Sequence, residues 1–285
     1  MQIKSKKVAI IPSKGIGDAL MMMIASEHLK KAGCTVTTVY PKLRELQDWF
    51  PGHTFEARET FSSDEWIIAQ NNNLPHIDLL KERYRSHLSI FYPTYSYSKH
   101  GFITPLDRVF DETKTMADNI ASAIHSLSSY PSSKESGLTP PSHLSHRLYP
   151  KRVLIHHTSS LPEKNWLKSR YDTVFKGLQK RGFEPVFVPE FPTLSELAAF
   201  VYESGFVIGN DSLVGHLASN LFIPTLIIAD QFERMRLWRP GWHPGSVVTA
   251  TKKLPQWKIF RNNWQYFISS SRVLNIFDKI KGDYI

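Results

Sequence analysis

The sequence predicts an α/β protein built of two halves, each a parallel sheet flanked by helices. Three observations carry the prediction. Residues 7–40 alternate strand, turn, helix and strand; residues 151–229 repeat the alternation more clearly; and a stretch rich in Ser and Pro from 128 to 150 separates the two. A chain of 285 residues suits one large domain or two of ordinary size. Its 41% hydrophobic and 21% charged content allows a packed core and argues against disordered, collagen-like and coiled-coil classes.

The elements follow in chain order. Lys7 to Ile11 is a short β-rich run, Ser13 to Asp18 is rich in turn formers, Ala19 to Lys31 has helix formers with Gly33 as its stop, and Thr35 to Tyr40 is a β-branched strand. Residues 42–111 carry weaker patterns, with a strand expected at Leu88–Tyr92 and a loop at Tyr92–Pro105; a helix is expected over Glu112–Ser126. After the Ser/Pro-rich segment come strand Arg152–His156, helix Ser169–Arg181 closed by Gly182, and strand Glu184–Val188. Helix Thr193–Ser204 with Gly205 as its stop, strand Phe206–Ile208, helix Ser212–Leu221 and strand Thr225–Ala229 complete the pattern. The expected domains are 1–130 and 151–265, both Rossmann-like, with 131–150 a linker and 266–285 a C-terminal helix returning to the first domain. Ligands of such a chain are expected in a cleft between the halves, just after strands.

One cysteine, Cys34, excludes an internal disulfide and a thiolate zinc site and fits a reducing compartment. The apolar stretch after the basic start, Val8 to Ile11, is too short for a signal-peptide core, and the run Ala19–Ala25 is too short to span a bilayer. The cytoplasm is the expected location. The net charge is +9, and residues 231–285 hold +7 of it, with ten basic against three acidic residues and four of the seven tryptophans, Trp238, Trp242, Trp257 and Trp264. That pairing of cations and aromatics predicts peripheral contact with an anionic membrane surface, on the cytoplasmic face of an inner membrane. No recognisable nucleic-acid motif accompanies the charge, so no nucleic-acid partner is expected.

Three clusters after strands carry the chemistry. In Ser13-Lys14-Gly15-Ile16-Gly17-Asp18 two glycines allow close backbone approach, while Leu20 stands where a dinucleotide fingerprint needs its third glycine. Asp18 either caps the helix or serves as a general base. In Gly209-Asn210-Asp211-Ser212-Leu213-Val214-Gly215-His216, Asp211 or Ser212 opens a helix and His216 lies one turn on. In His156-His157-Thr158-Ser159-Ser160, leading to Lys164-Asn165-Trp166, hydroxyls and a lysine suit a diphosphate. The histidine pair reads as strand packing, and no metal site is expected.

In this order the clusters resemble glycosyltransferase family 9, the heptosyltransferases. Ser13, Gly17 and Asp18 match its opening strand, loop and Gly-Asp; Thr158, Ser159, Lys164 and Trp166 match its hydroxyl-ended strand and Lys-x-Trp; Asp211, Ser212, His216, Leu217 and Pro224 match its Asp-Thr/Ser-Gly-x-x-His-Leu signature. The match is good from Val153 to Ala229 and poor in the middle of the first half and in the last fifty residues. Departures are Ile24 and Leu167 in place of prolines, Leu213 in place of glycine, and a short segment between Val188 and Thr193.

The resemblance implies a GT-B fold, two Rossmann-like domains facing each other across a cleft, the first binding the acceptor and the second a nucleotide sugar. It implies inverting transfer of a heptose-like sugar from an ADP-activated donor to a lipopolysaccharide-core or other surface-glycan acceptor, with no cofactor and no metal. Asp18 is then the base. Thr158, Ser159, Lys164, Glu190, Asp211, Ser212 and His216 serve the donor, Asp211 orienting sugar hydroxyls and Glu190 standing in for an acidic contact. Ser13, Lys14, Gly15 and Gly17 form the acceptor loop. A catalytically silent scaffold or binding protein of the same fold is the alternative, suggested by Leu213 and Ile24.

Overall fold

The computed structural model describes residues 6–73, 75–159, 161–243, 245–250 and 263–282. The chain divides between Thr139 and Pro140 into two compact units.

The first unit is a six-stranded parallel sheet in the order β3-β2-β1-β4-β5-β6. Its strands are β1 (Lys7–Ile11), β2 (Thr35–Thr38), β3 (Thr54–Phe55), β4 (Glu65–Gln70), β5 (Leu88–Tyr92) and β6 (Arg108–Val109). Between them run α1 (Ile16–Lys31), 3₁₀ turns over Pro41–Trp49, α2 (Pro75–Tyr84) and the short α3 (Tyr97–His100); α4 (Met116–Ser128) follows. Strands covered on both faces read as unbroken apolar runs rather than alternations, and β4 and β5 are buried at every position. Helix α1 is equally enclosed, with Ala19 to Ser26 all buried, which is why it is apolar nearly all round.

The second unit is a five-stranded parallel sheet in the order β11-β10-β9-β7-β8. Here β7 (Tyr149–His156), α5 (Lys168–Gln179), β8 (Glu184–Phe187), α6 (Leu194–Tyr202), β9 (Ser204–Asn210), α7 (Leu213–Asn220), β10 (Thr225–Ala229), α8 (Phe232–Trp238) and β11 (Ser246–Thr249) alternate regularly, and α9 (Ser270–Lys281) closes the unit. Val153, Ile155, Phe206, Ile208, Trp166, Tyr171 and Phe277 lie in one core. Both units are Rossmann-like. In such sheets the order reverses at one point, here between β1 and β4 and between β7 and β9, and ligands gather at the carboxyl ends of the strands there.

Several expectations need correction. The segment 131–150 is not a free tether: Ser136 is buried, Lys31 pairs with Glu135, and the Thr139 N–H donates to the Trp49 carbonyl at 2.7 Å. From 140 on the chain belongs to the second unit, where the Arg147 and Tyr149 N–H groups donate to Tyr202 and Glu203. The C-terminal helix, expected to return to the first domain, packs within the second unit. Its Asp278 holds Arg181 at 2.8 Å, and its Phe277 meets Phe183 and Phe206 edge-on. Gly205 does not stop a helix but lies inside β9. Among the described residues no helix is long and apolar enough to cross a membrane. Of the tryptophans in the basic segment, Trp264 is buried in the core and Trp238 and Trp242 are half-buried; Trp257, Lys252, Lys253, Lys258 and Arg261 lie outside the described residues.

Candidate functional site

In the first unit the chain leaves β1 through Ser13 to Gly15 and enters α1 at Ile16, so Gly17 and Asp18 sit in the first helical turn. Gln70, the last residue of β4, ties this turn to the sheet. Its Oε1 accepts the Ser13 N–H at 3.3 Å and its Nε2 donates to Asp18 Oδ1 at 2.8 Å. The other carboxylate oxygen lies over Gly15, where an added Cβ would come within 2.6 Å of Oδ2, so any larger residue displaces the carboxylate. Tyr40, just after β2, fastens the loop from the far side by donating to the Lys14 carbonyl at 2.6 Å. Burial, and then the charge of Asp18, push the Tyr40 phenol up. Lys14 itself is exposed, and its charge adds to burial in lowering His76.

In the second unit the side chains collect where β7 and β9 end. Asn210, fully buried at the end of β9, accepts the Trp166 N–H at 2.9 Å and the Tyr171 hydroxyl at 2.8 Å through Oδ1, and donates to Asn165 at 3.2 Å. Trp166 is sunk in the core with its indole N–H on the Gln265 carbonyl at 3.0 Å. This roots the loop from which Lys164 emerges. Lys164 Nζ reaches Asp211 Oδ2 at 3.2 Å, and Arg234 of α8 reaches the same oxygen at 2.8 Å while also bonding Asp230 at 2.7 Å. Burial pushes the Asp211 carboxyl up, but Lys164, His216 and Arg234 together outweigh it and hold it below the usual range.

His216 is buried with Nε2 3.9 Å from Asp211 Oδ1 and with Nδ1 lacking a hydrogen-bond partner among the described residues. Burial lowers its pKa against the pull of Asp211, so the ring is neutral at pH 7. Ser212 precedes α7 in an extended conformation, yet its hydroxyl does not cap the helix; it lies 2.9 Å from His156 Nδ1. Ser212 thus gives the first turn of α7 no side-chain cap, and a helix N-terminus favours anions. His156 is pushed down to about 4, by burial and then by His157. His157 packs edge-on against Phe187 and Tyr171.

The structure thus brings Lys164, Asp211, Ser212 and His216 together, with Ser159 nearby through Asn165 at 2.8 Å. Thr158 and Glu190 are exposed at the ends of β7 and β8. Asp211, expected to orient sugar hydroxyls, is buried and ion-paired with Lys164 and Arg234. Gln70, His156, Asn210 and Arg234 were not marked as site residues by their sequence context; the one usable signal was that Gln70 and Asn210 each end a buried apolar run with an amide. Among the described residues, no group of three or more His, Cys, Asp or Glu side chains could hold a metal ion.

No family model matches the chain. No curated protein sequence matches it either. Solved structures do. A glycosyl transferase family 9 protein from Veillonella parvula superimposes with a TM-score of 0.69 at 16% identity, over 98% of each chain. The E. coli heptosyltransferase WaaC with ADP gives 0.69 at 11% identity, over 96% of this chain and 99% of that one. The E. coli ADP-heptose lps heptosyltransferase II gives 0.64 at 12%, over 96% and 98%. The likeness establishes the fold: two Rossmann-like units of GT-B-like topology.

Proposed function

We propose that the protein is an inverting, metal-independent glycosyltransferase. It moves a heptose-like sugar from an ADP-activated donor to a hydroxyl of a lipopolysaccharide-core or other surface-glycan acceptor. The observation that carries this reading is Asp18, a carboxylate on a glycine turn at the switch point of the first sheet, oriented by Gln70 at 2.8 Å. Asp18 is the third residue of α1, whose N-cap is Gly15, so N-capping does not account for it.

In the reaction the acceptor hydroxyl gives its proton to Asp18 as its oxygen bonds the anomeric carbon from the face opposite the leaving group. The bond from that carbon to the phosphate oxygen breaks, and its electron pair leaves with the nucleoside diphosphate. Lys164, Arg234, the Thr158 and Ser159 hydroxyls and the opening amides of α7 stabilise the charge that grows there. Asp211 positions Lys164 and Arg234, with neutral His216 behind it; Glu190 serves the ribose. Ser13, Lys14, Gly15 and Gly17 shape the acceptor loop.

One observation favours the silent-scaffold reading: Lys164 and Arg234 already share Asp211. A thermal-shift panel of ADP-, UDP- and GDP-sugars, followed by mass spectrometry of released nucleotide in the presence of glycan acceptor, separates the two. The reading predicts that ADP-heptose raises Tm most and that ADP is released. A Tm unmoved by every nucleotide sugar contradicts it.

A further inference from the structure

The segment between β5 and β6 is fastened on one side and presents large apolar side chains on the other. On the fastened side the His100 ring is buried, stacks on Tyr95 at 5.5 Å and meets Tyr92 edge-on at 5.3 Å. Its Nδ1 accepts the Ser96 N–H at 2.9 Å, which leaves Nε2–H to donate to Asn73 Oδ1 at 2.7 Å. The Tyr95 hydroxyl donates to the Gly101 carbonyl at 2.7 Å and Lys81 Nζ to the His100 carbonyl at 3.3 Å. On the other side Tyr97 is 59% exposed, Phe102 82% and Ile103 40%, with Tyr97 and Phe102 edge-to-face at 5.0 Å.

Single exposed apolar residues are ordinary. Three within seven residues, on a segment pinned through its other side chains, are held out in water by the structure. Lys99 stands exposed among them, and beside them opens a pocket of about 380 Å³ lined by Lys81, Lys99, His100, Asn71, Asn73 and Asp78, with Ile77.

We propose that Tyr97, Phe102 and Ile103 enter the interfacial layer of an anionic bilayer, with Lys99 against the lipid head groups. Aromatic side chains interleaved with lysine suit that layer, where the rings bury and the ammonium groups stay at head-group level. A protein partner is the poorer match, because a stable interface buries about 800 Å² on each side and three side chains cannot supply it. A bilayer asks for no complementary shape. The basic C-terminal segment is less suited where it is described: Trp264 is core, Arg234 is bound to Asp211 and Asp230, and Lys281 to Asp278. The proposal deepens the reading of the acceptor as a surface glycan, since a membrane-borne acceptor is reached from the membrane.

Vesicle binding needs no transfer activity, so the two can fail separately. The full chain is co-sedimented with phosphatidylglycerol/phosphatidylethanolamine vesicles and with phosphatidylcholine vesicles, beside the double variant Tyr97→Ser/Phe102→Ser, Lys99→Glu, and Arg236→Gln/Lys279→Gln in the second unit. Wild type should partition roughly tenfold more strongly to the anionic vesicles, and either first-unit variant should lose most of that gain with Tm unchanged. In Phe102→Trp, brominated lipid should quench emission beyond the wild-type level. Equal partition to both vesicle types, an unaffected double variant, or loss of binding only in Arg236→Gln/Lys279→Gln overturns the proposal.

Discussion

Lys164 stands two residues before Trp166, and the spacing has a physical reason. The tryptophan fixes the loop in the core through two hydrogen bonds, at 2.9 and 3.0 Å, and the lysine leaves that fixed point with its ammonium on Asp211. Replacing it by alanine keeps the root of the loop and leaves Asp211 with Arg234. Lys164→Ala should therefore fold normally and weaken ADP-sugar affinity by about 1.5–3 kcal/mol, the worth of a hydrogen bond to a charged group. Calorimetric titration checks this, and an unchanged Kd would place the phosphates elsewhere. Asp18 and Asp211 were singled out in the sequence because each stands beside glycine or cap residues just after a readable strand, and Lys164 because it follows a hydroxyl-ended strand in the pattern Lys-x-Trp. Gln70 and Arg234 were not, because their meaning comes from partners 52 and 23 positions away.

At the scale of elements, legibility followed the turns. The β1-α1-β2 unit and the alternation from β7 to β10 were readable because their turns carry Gly, Ser and Asp. Strand β4, Glu-Trp-Ile-Ile-Ala-Gln, was missed because its polar ends break up the apolar run, whereas β5, equally buried, was expected over its observed span. The Ser/Pro-rich segment read as linker because it lacks periodicity, yet it is held by backbone bonds and ion pairs that periodicity does not report.

Two elements make testable statements. Asn210 at the end of β9 is the shared acceptor of Trp166 and Tyr171, so Asn210→Ala leaves two donors without it, each costing about 1–3 kcal/mol if buried and unsatisfied. Urea unfolding should show a loss of at least about 2 kcal/mol; an unchanged midpoint would mean that the loop finds other anchors. At the end of β7, His156 has its pKa at about 4 in the folded chain against about 6.5 when unfolded. The unfolded chain then binds more protons below pH 6.5, so stability falls as pH drops from there to about 4. By linkage His156 accounts for about 2 kcal/mol of the loss between pH 7.5 and 5. His156→Gln should show a correspondingly shallower decline in urea midpoint than wild type, and an equal decline would assign the effect to other histidines.

Over the whole molecule, the account assigns one reaction to residues on two separate Rossmann-like units: proton removal to the first and donor binding to the second. The order of the three clusters in the sequence suggests that division, while the limits of the units follow packing that composition hides. The division has a direct consequence. A change at Asp18 should leave the second unit's grip on the donor intact and act on turnover alone, and asparagine is the informative replacement because its amide oxygen can still accept from Gln70 while it takes no proton. The measurement is the rate of ADP release from ADP-heptose in the presence of glycan acceptor, for wild type and Asp18→Asn, with the donor-induced rise in Tm recorded for both. The account predicts an equal rise in Tm and turnover lower by roughly 10²–10⁴-fold. Turnover near the wild-type rate would make Asp18 a structural residue of the first turn of α1 and contradict the mechanism.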